Sequence, residues 1–128
     1  MSQKNITIFE YNGYTFEFDI ADADCSEKYE HAIQVMDEEE KKAPKDGLLS
    51  AIYRAQCGMI KRFFDNVLEE GAGVKICGEK DHISNCYTAY SAFLDFVSGQ
   101  RDSVLSAKNS ISKYSNRAQR RAADRQKR

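Results

Sequence analysis

The dipeptide Asn12-Gly13 constrains this chain more than any other feature, because it stands between two runs of alternating β-type residues, "NITIFEY" and "YTFEFDI". A type I′ turn needs positive φ at both central residues, and Asn-Gly meets that need at little cost, so the start is predicted to be a β-hairpin. Taking Asn12-Gly13 as the turn pairs Tyr11 with Tyr14, Phe9 with Phe16 and Thr7 with Phe18. Those six side chains then share one largely aromatic face. The other face carries Glu10, Glu17 and Asp19 but also Ile6 and Ile8, which are candidates for self-association. A lone hairpin is marginal in water, so its aromatic face is expected to pack on helices.

Helical periodicity supplies those helices. Cys25, Tyr29, Ala32, Ile33 and Met36 recur at helical spacing after Asp24 and Glu27, which resemble a capping box. Asp37 with Lys41 and Glu38 with Lys42 form i,i+4 pairs, and Pro44 and Gly47 end the element. The second helix is the clearest. Leu49, Ile52, Tyr53, Gln56, Met59, Ile60, Phe63, Phe64, Val67 and Leu68 make one broad stripe, with Asp46 as N-cap and Gly71 as stop. The glycine-rich "GAGVKICGEKDH" lacks the spacing of a phosphate loop and reads as a connector whose Val74 and Ile76 dock on the core. A last helix begins near Asp81 or Ser84. It holds its period through Ile83, Cys86, Tyr87, Tyr90, Phe93, Leu94 and Val97, then thins beyond Gly99 to Val104, Leu105 and Ile111. The expected fold is mainly α with an N-terminal β-hairpin (α+β): a three-helix core in residues 1–113 and a flexible basic arm in 114–128.

Charge sets that arm apart. From Asn116 to Arg128 six basic residues face one acid, giving +5, whereas the whole chain is −1. In a helix Arg117, Arg121, Arg125 and Arg128 fall on one stripe, with Ala118 and Ala122 beside it. With no large apolar residue after Tyr114, the arm cannot bury itself on its own domain, so it is expected to be disordered when free and helical when bound. Nucleic-acid phosphates, an acidic protein surface or the acidic body of a neighbouring subunit would each suit it.

No catalytic constellation accompanies these features. His31 lies on a charged helix side and His82 at a helix start, and neither belongs to a recognisable motif. Cys77, His82 and Cys86 share a ten-residue window, but structural zinc sites favour paired ligands at short spacing, so no metal and no cofactor is expected. The opening residues lack a secretory pattern and no segment reaches the roughly 20 apolar residues of a membrane span. The chain is therefore read as a cytoplasmic non-enzyme with reduced cysteines and no membrane partner.

The ending "YSNRAQRRA", the opening "FEFDIADADCSEKYEHAI" and the middle "AIYRAQCGMIKRFFDNVLEEGAGVKICG" together resemble, in the same order, small proteins from phage and prophage tail-morphogenesis clusters of Gram-positive hosts. The resemblance implies a tail assembly chaperone-like protein that binds the long helical tape measure or another tail protein. On the ending, Tyr114, Asn116, Arg117, Ala118, Gln119, Arg120 and Arg121 match. All of these except Ala118 form, with Arg125 and Arg128, the expected partner-binding segment. The alternative is a small nucleic-acid-binding regulator using the arm. The acidic body opposes it, and no recognition helix with exposed Arg, Asn and Gln is evident.

Overall fold

The computed structural model describes residues 6–126. In chain order these form β1 (Ile8–Tyr11), β2 (Tyr14–Glu17), α1 (Ala23–Lys42), α2 (Leu49–Val67), α3 (Ala72–Cys77) and α4 (Ile83–Gln126). The molecule is thus mainly helical, with an antiparallel N-terminal hairpin. Phe9 faces Phe16 and Tyr11 faces Tyr14, as the turn dictates, with φ of 51° at Asn12 and 78° at Gly13. The Asn12 side-chain amide donates to the Ile76 carbonyl at 2.7 Å, fastening the turn to α3. Phe9, Phe16 and Phe18 are buried, whereas Tyr14 at the hairpin tip stays exposed beneath the Lys75 ammonium.

Core packing centres on α2 and the first half of α4. Phe93 of α4 meets the rings of Phe9, Phe18, Phe63, Phe64 and Phe96 at centroid distances of 5.2–6.1 Å. The pairs with Phe9, Phe18, Phe63 and Phe64 are edge-on, and aromatic pairs of that kind add about 0.5–1.5 kcal/mol each beyond the area they bury. From α1, Ala32 is fully buried while Tyr29, Ile33 and Met36 pack at the margin.

Several local expectations are corrected. The N-cap of α1 is Asp22, whose carboxylate accepts from the Asp24 N–H at 2.9 Å, so the helix starts two residues earlier than a capping box at Asp24 predicts. Leu48, not Asp46, occupies the N-cap of α2, and Leu49 and Tyr53 in its first turns are exposed. Tyr87 is exposed as well.

The predicted connector contains a fourth helix, α3. Gly71, at φ 89°, turns the chain out of α2 and becomes the N-cap of α3. Gly73 then lies so close to α2 that a Cβ there would sit 2.2 Å from the Lys61 carbonyl oxygen, and its N–H donates to Asp65 Oδ1 at 2.7 Å. Glycines that suggest a loop in sequence are here a condition of helix–helix approach. Ile76 docks as expected, but Val74 points outward.

Candidate functional site

The last helix has two halves of different character. From Cys86 through Ala89, Phe93, Val97 and Gln100, one face of α4 is buried at helical spacing. Gln100 ends that series. Its Nε2 donates to the carbonyls of Ile6 and Phe18, both at 2.7 Å, and its Oε1 accepts from the Ile20 N–H at 3.0 Å. A single amide thereby satisfies three backbone groups on the segments flanking the hairpin, which is the arrangement a buried polar side chain requires. It is the one buried polar residue among those described.

Past Gln100 the helix leaves the body. Every residue from Arg101 to Ser112 is exposed, and so are Arg117 and Arg121. At about 1.5 Å per residue, positions 101–126 extend roughly 39 Å. Val104 (45 % exposed), Ala107 and Ile111 (68 %) continue the face that Phe93, Val97 and Gln100 bury, but all three are exposed, Val104 at the edge of an open groove of about 720 Å³. Leu105 (54 %) stands beside this seam, on the wall of the same groove, which Ile20, Tyr29 and Glu30 close from the other side. A solvent-facing helix of this kind gains little stability from its own sequence, since most helical stability in proteins comes from packing an amphipathic face.

Charge divides at the same place. Residues 1–100 hold ten basic and eighteen acidic side chains, a net of −8. Residues 101–128 hold nine basic and two acidic, a net of +7. The sequence boundary at 113/114 therefore falls inside a continuous helix, and both the basic excess and the exposed seam begin a dozen residues earlier.

The predicted partner-binding residues distribute along this protrusion. Arg117 and Arg121 are exposed one helical turn apart. Tyr114, Asn116, Gln119, Arg120 and Arg125 stand on α4, but their side chains lie outside the described residues, as does Arg128 altogether. Of the pair expected to mediate self-association, Ile6 is 60 % exposed and Ile8 is half-buried opposite Glu17. Through its carbonyl, Ile6 is tied to Gln100 at the root of the protrusion, a proximity that sequence spacing does not reveal.

The cysteine and histidine window resolves differently. Cys77 and Cys86 are buried and share side-chain hydrogen bonding, but the third member is Cys57 from α2 rather than His82. His82 is exposed and its Nδ1 accepts from the Asn85 N–H at 3.3 Å, helping to start α4. Burial pushes the Cys57 thiol up to about 12, helped by its hydrogen bond to Cys86, and burial pushes Cys77 up to about 11. Such thiols stay protonated at neutral pH and pack as small apolar groups. Among the described residues, no three His, Cys, Asp or Glu side chains are placed to hold a metal ion. Lys61 lies beside this cluster, bonded to Asp81 at 3.0 Å and to the Glu79 and Lys80 carbonyls, and so pins the loop before α4.

Among the described residues, no helix is long and apolar enough to cross a membrane. No curated protein and no solved structure shows a significant match to this chain. A family model does match, from Asn12 at the hairpin turn to Asp124 in the protruding helix, and so takes in both the body and the basic segment. The chain belongs to that family, described as a family of unknown function (DUF6673).

Proposed function

We propose that the protein is a non-enzymatic interaction module that holds a helical protein partner along the exposed half of α4. The observation that carries this reading is the coincidence, on one protruding helix, of an unburied apolar seam (Val104, Ala107, Ile111) and exposed arginines (Arg117, Arg121). An amphipathic helix laid against such a seam would bury its own apolar face, and acidic residues on it would meet the arginines. The resemblance of the chain to phage and prophage tail-morphogenesis proteins gives the partner its class. It is the tape measure or another tail protein, kept soluble in the host cytoplasm while the tail assembles.

Affinity capture from cells expressing the neighbouring tail genes tests this. A long helical protein should come down with the full chain and not with a version ending at Lys113. Replacing Arg117, Arg120 and Arg121 with Glu should abolish capture without unfolding the body. Capture that survives both changes would refute the reading. The same +7 segment also suits phosphates. Recovery of nuclease-sensitive nucleic acid that washes off at modest salt would favour the regulator reading instead, since phosphate-led binding falls steeply with ionic strength.

A further inference from the structure

The two charged halves of the molecule cannot neutralise one another within it. Because α4 runs unbroken from Ile83 to Gln126, its basic end is carried away from its own body rather than folded back on it. The apolar seam is likewise uncovered, and its spacing of three and four residues (Val104, Ala107, Ile111) persists in the sequence at positions 114 and 118. That is the repeat by which two helices interlock side by side.

We infer that the seam pairs antiparallel with the same seam of a second copy of this chain, bringing the arginine-bearing end of each α4 to the acidic edge of the other body. Charge decides the direction. Parallel pairing would lay two segments of net +7 side by side, and like charges held together disfavour association. Antiparallel pairing about a two-fold axis near position 109 sets Ala107 against Ile111 of the second copy, and Val104 against position 114. Position 117 then stands level with Arg101 of the other copy and position 121 level with Val97. Arg101 and Lys108 balance Glu30 and Asp102 in the groove there, so the acidic excess that meets the arginines is the adjoining start of α1, with Asp22, Asp24 and Glu27. The pairing uses the same seam and arginines as the proposed client contact, so it describes the client-free protein, and a bound client displaces the second copy.

Sedimentation velocity on the purified full chain tests it, at about 50 mM and about 500 mM salt, a range over which the Debye length shrinks several-fold. The expected result is a concentration-dependent dimer, weakened at the higher salt. Val104→Glu combined with Ile111→Glu should weaken it at least about ten-fold while the circular dichroism and thermal transition of the body are kept, since both sites are exposed. Arg117→Glu combined with Arg121→Glu should also weaken it, by about ten-fold at low salt. A chain that stays monomeric at every concentration overturns the proposal, whether or not it carries nucleic acid. So does a dimer indifferent to the seam variant. A dimer that tightens on arginine reversal overturns the placement of the arginines against the acidic start of α1, because that contact would be lost by it.

Discussion

Two glycine-to-alanine substitutions should move stability in opposite directions. Gly73 and Gly99 both sit in helices, and each costs about 1 kcal/mol relative to Ala in a helix interior. At Gly99 a new Cβ would meet nothing within 4 Å, so Gly99→Ala should return most of that amount. At Gly73 the new Cβ would lie 2.2 Å from the Lys61 oxygen and 2.6 Å from its Cα. These are backbone atoms of α2 and cannot swing aside. Ordinary contact begins near 3.4 Å, so α3 would have to retreat by more than 1 Å, loosening Ile76, the Gly73–Asp65 hydrogen bond and the Asn12–Ile76 bond together. Overpacking typically costs 1–3 kcal/mol, and an immovable neighbour places Gly73→Ala at the upper end, about 3 kcal/mol net of the propensity gain. Urea titration read by circular dichroism measures both. Gly99→Ala should raise the midpoint with an unchanged slope, and Gly73→Ala should lower it by roughly three times as much. A Gly73→Ala protein as stable as the parent would refute the close approach of α3 to α2. A destabilised Gly99→Ala would show that α4 does not run straight through that position.

Three further outcomes follow from single contacts. Gln100→Leu keeps the volume but leaves the Ile6 and Phe18 carbonyls and the Ile20 N–H without their partner, so it should cost about 3 kcal/mol in thermal or urea unfolding and loosen the hairpin first in amide exchange. Asp22→Ala removes the N-cap of α1 and should cost about 1 kcal/mol, with Asp22→Asn nearly neutral. Alkaline pH should also destabilise the protein through its buried thiols. Folded Cys57 and Cys77 keep their protons to about 12 and about 11, whereas unfolded thiols ionise near roughly 8.5. The folded state therefore binds more protons between those values. Stability is fully present below pH 8.5 and falls as pH rises toward 11, by at most about 1.4 kcal/mol per pH unit per thiol. Cys57→Ala should flatten that slope in a pH series of melting curves, and an unaltered slope would show that Cys57 is not buried as a thiol.

Legibility in the sequence followed the physics of each element. The hairpin register is readable because Asn-Gly fixes it and a one-residue slip would turn every aromatic side chain outward. The stripe of α2 is readable because five of its members, Met59, Ile60, Phe63, Phe64 and Val67, recur at helical spacing and are buried together. By contrast α3 hid behind its glycines, whose local preference for loops yields to the packing that only glycine permits. Gln100 is not legible because a polar residue in an apolar period reads as an interruption, yet spacing from Phe93 and Val97 places it on the buried face. Cys57 reads as a small apolar residue on a helix face, and it is buried, but its grouping with Cys77 and Cys86 is illegible for a different reason. Its two thiol neighbours are 20 and 29 positions away on other helices, and no local pattern connects them. The arm was read by composition alone, which marks Arg117 and Arg121 but places the boundary at 113/114. The exposed seam begins at Val104, because the body simply ends at Gln100.

Amide hydrogen exchange along α4 as a function of protein concentration tests most directly whether the protrusion is a binding surface. A single helix in solvent opens readily, whereas a helix paired along Val104, Ala107 and Ile111 is protected by the free energy of pairing. Protection of residues 103–117 should rise with concentration while that of residues 86–100 stays constant and high. Exchange through 103–117 that is equally fast at every concentration would contradict the pairing and leave the outer half of α4 as a solvated extension.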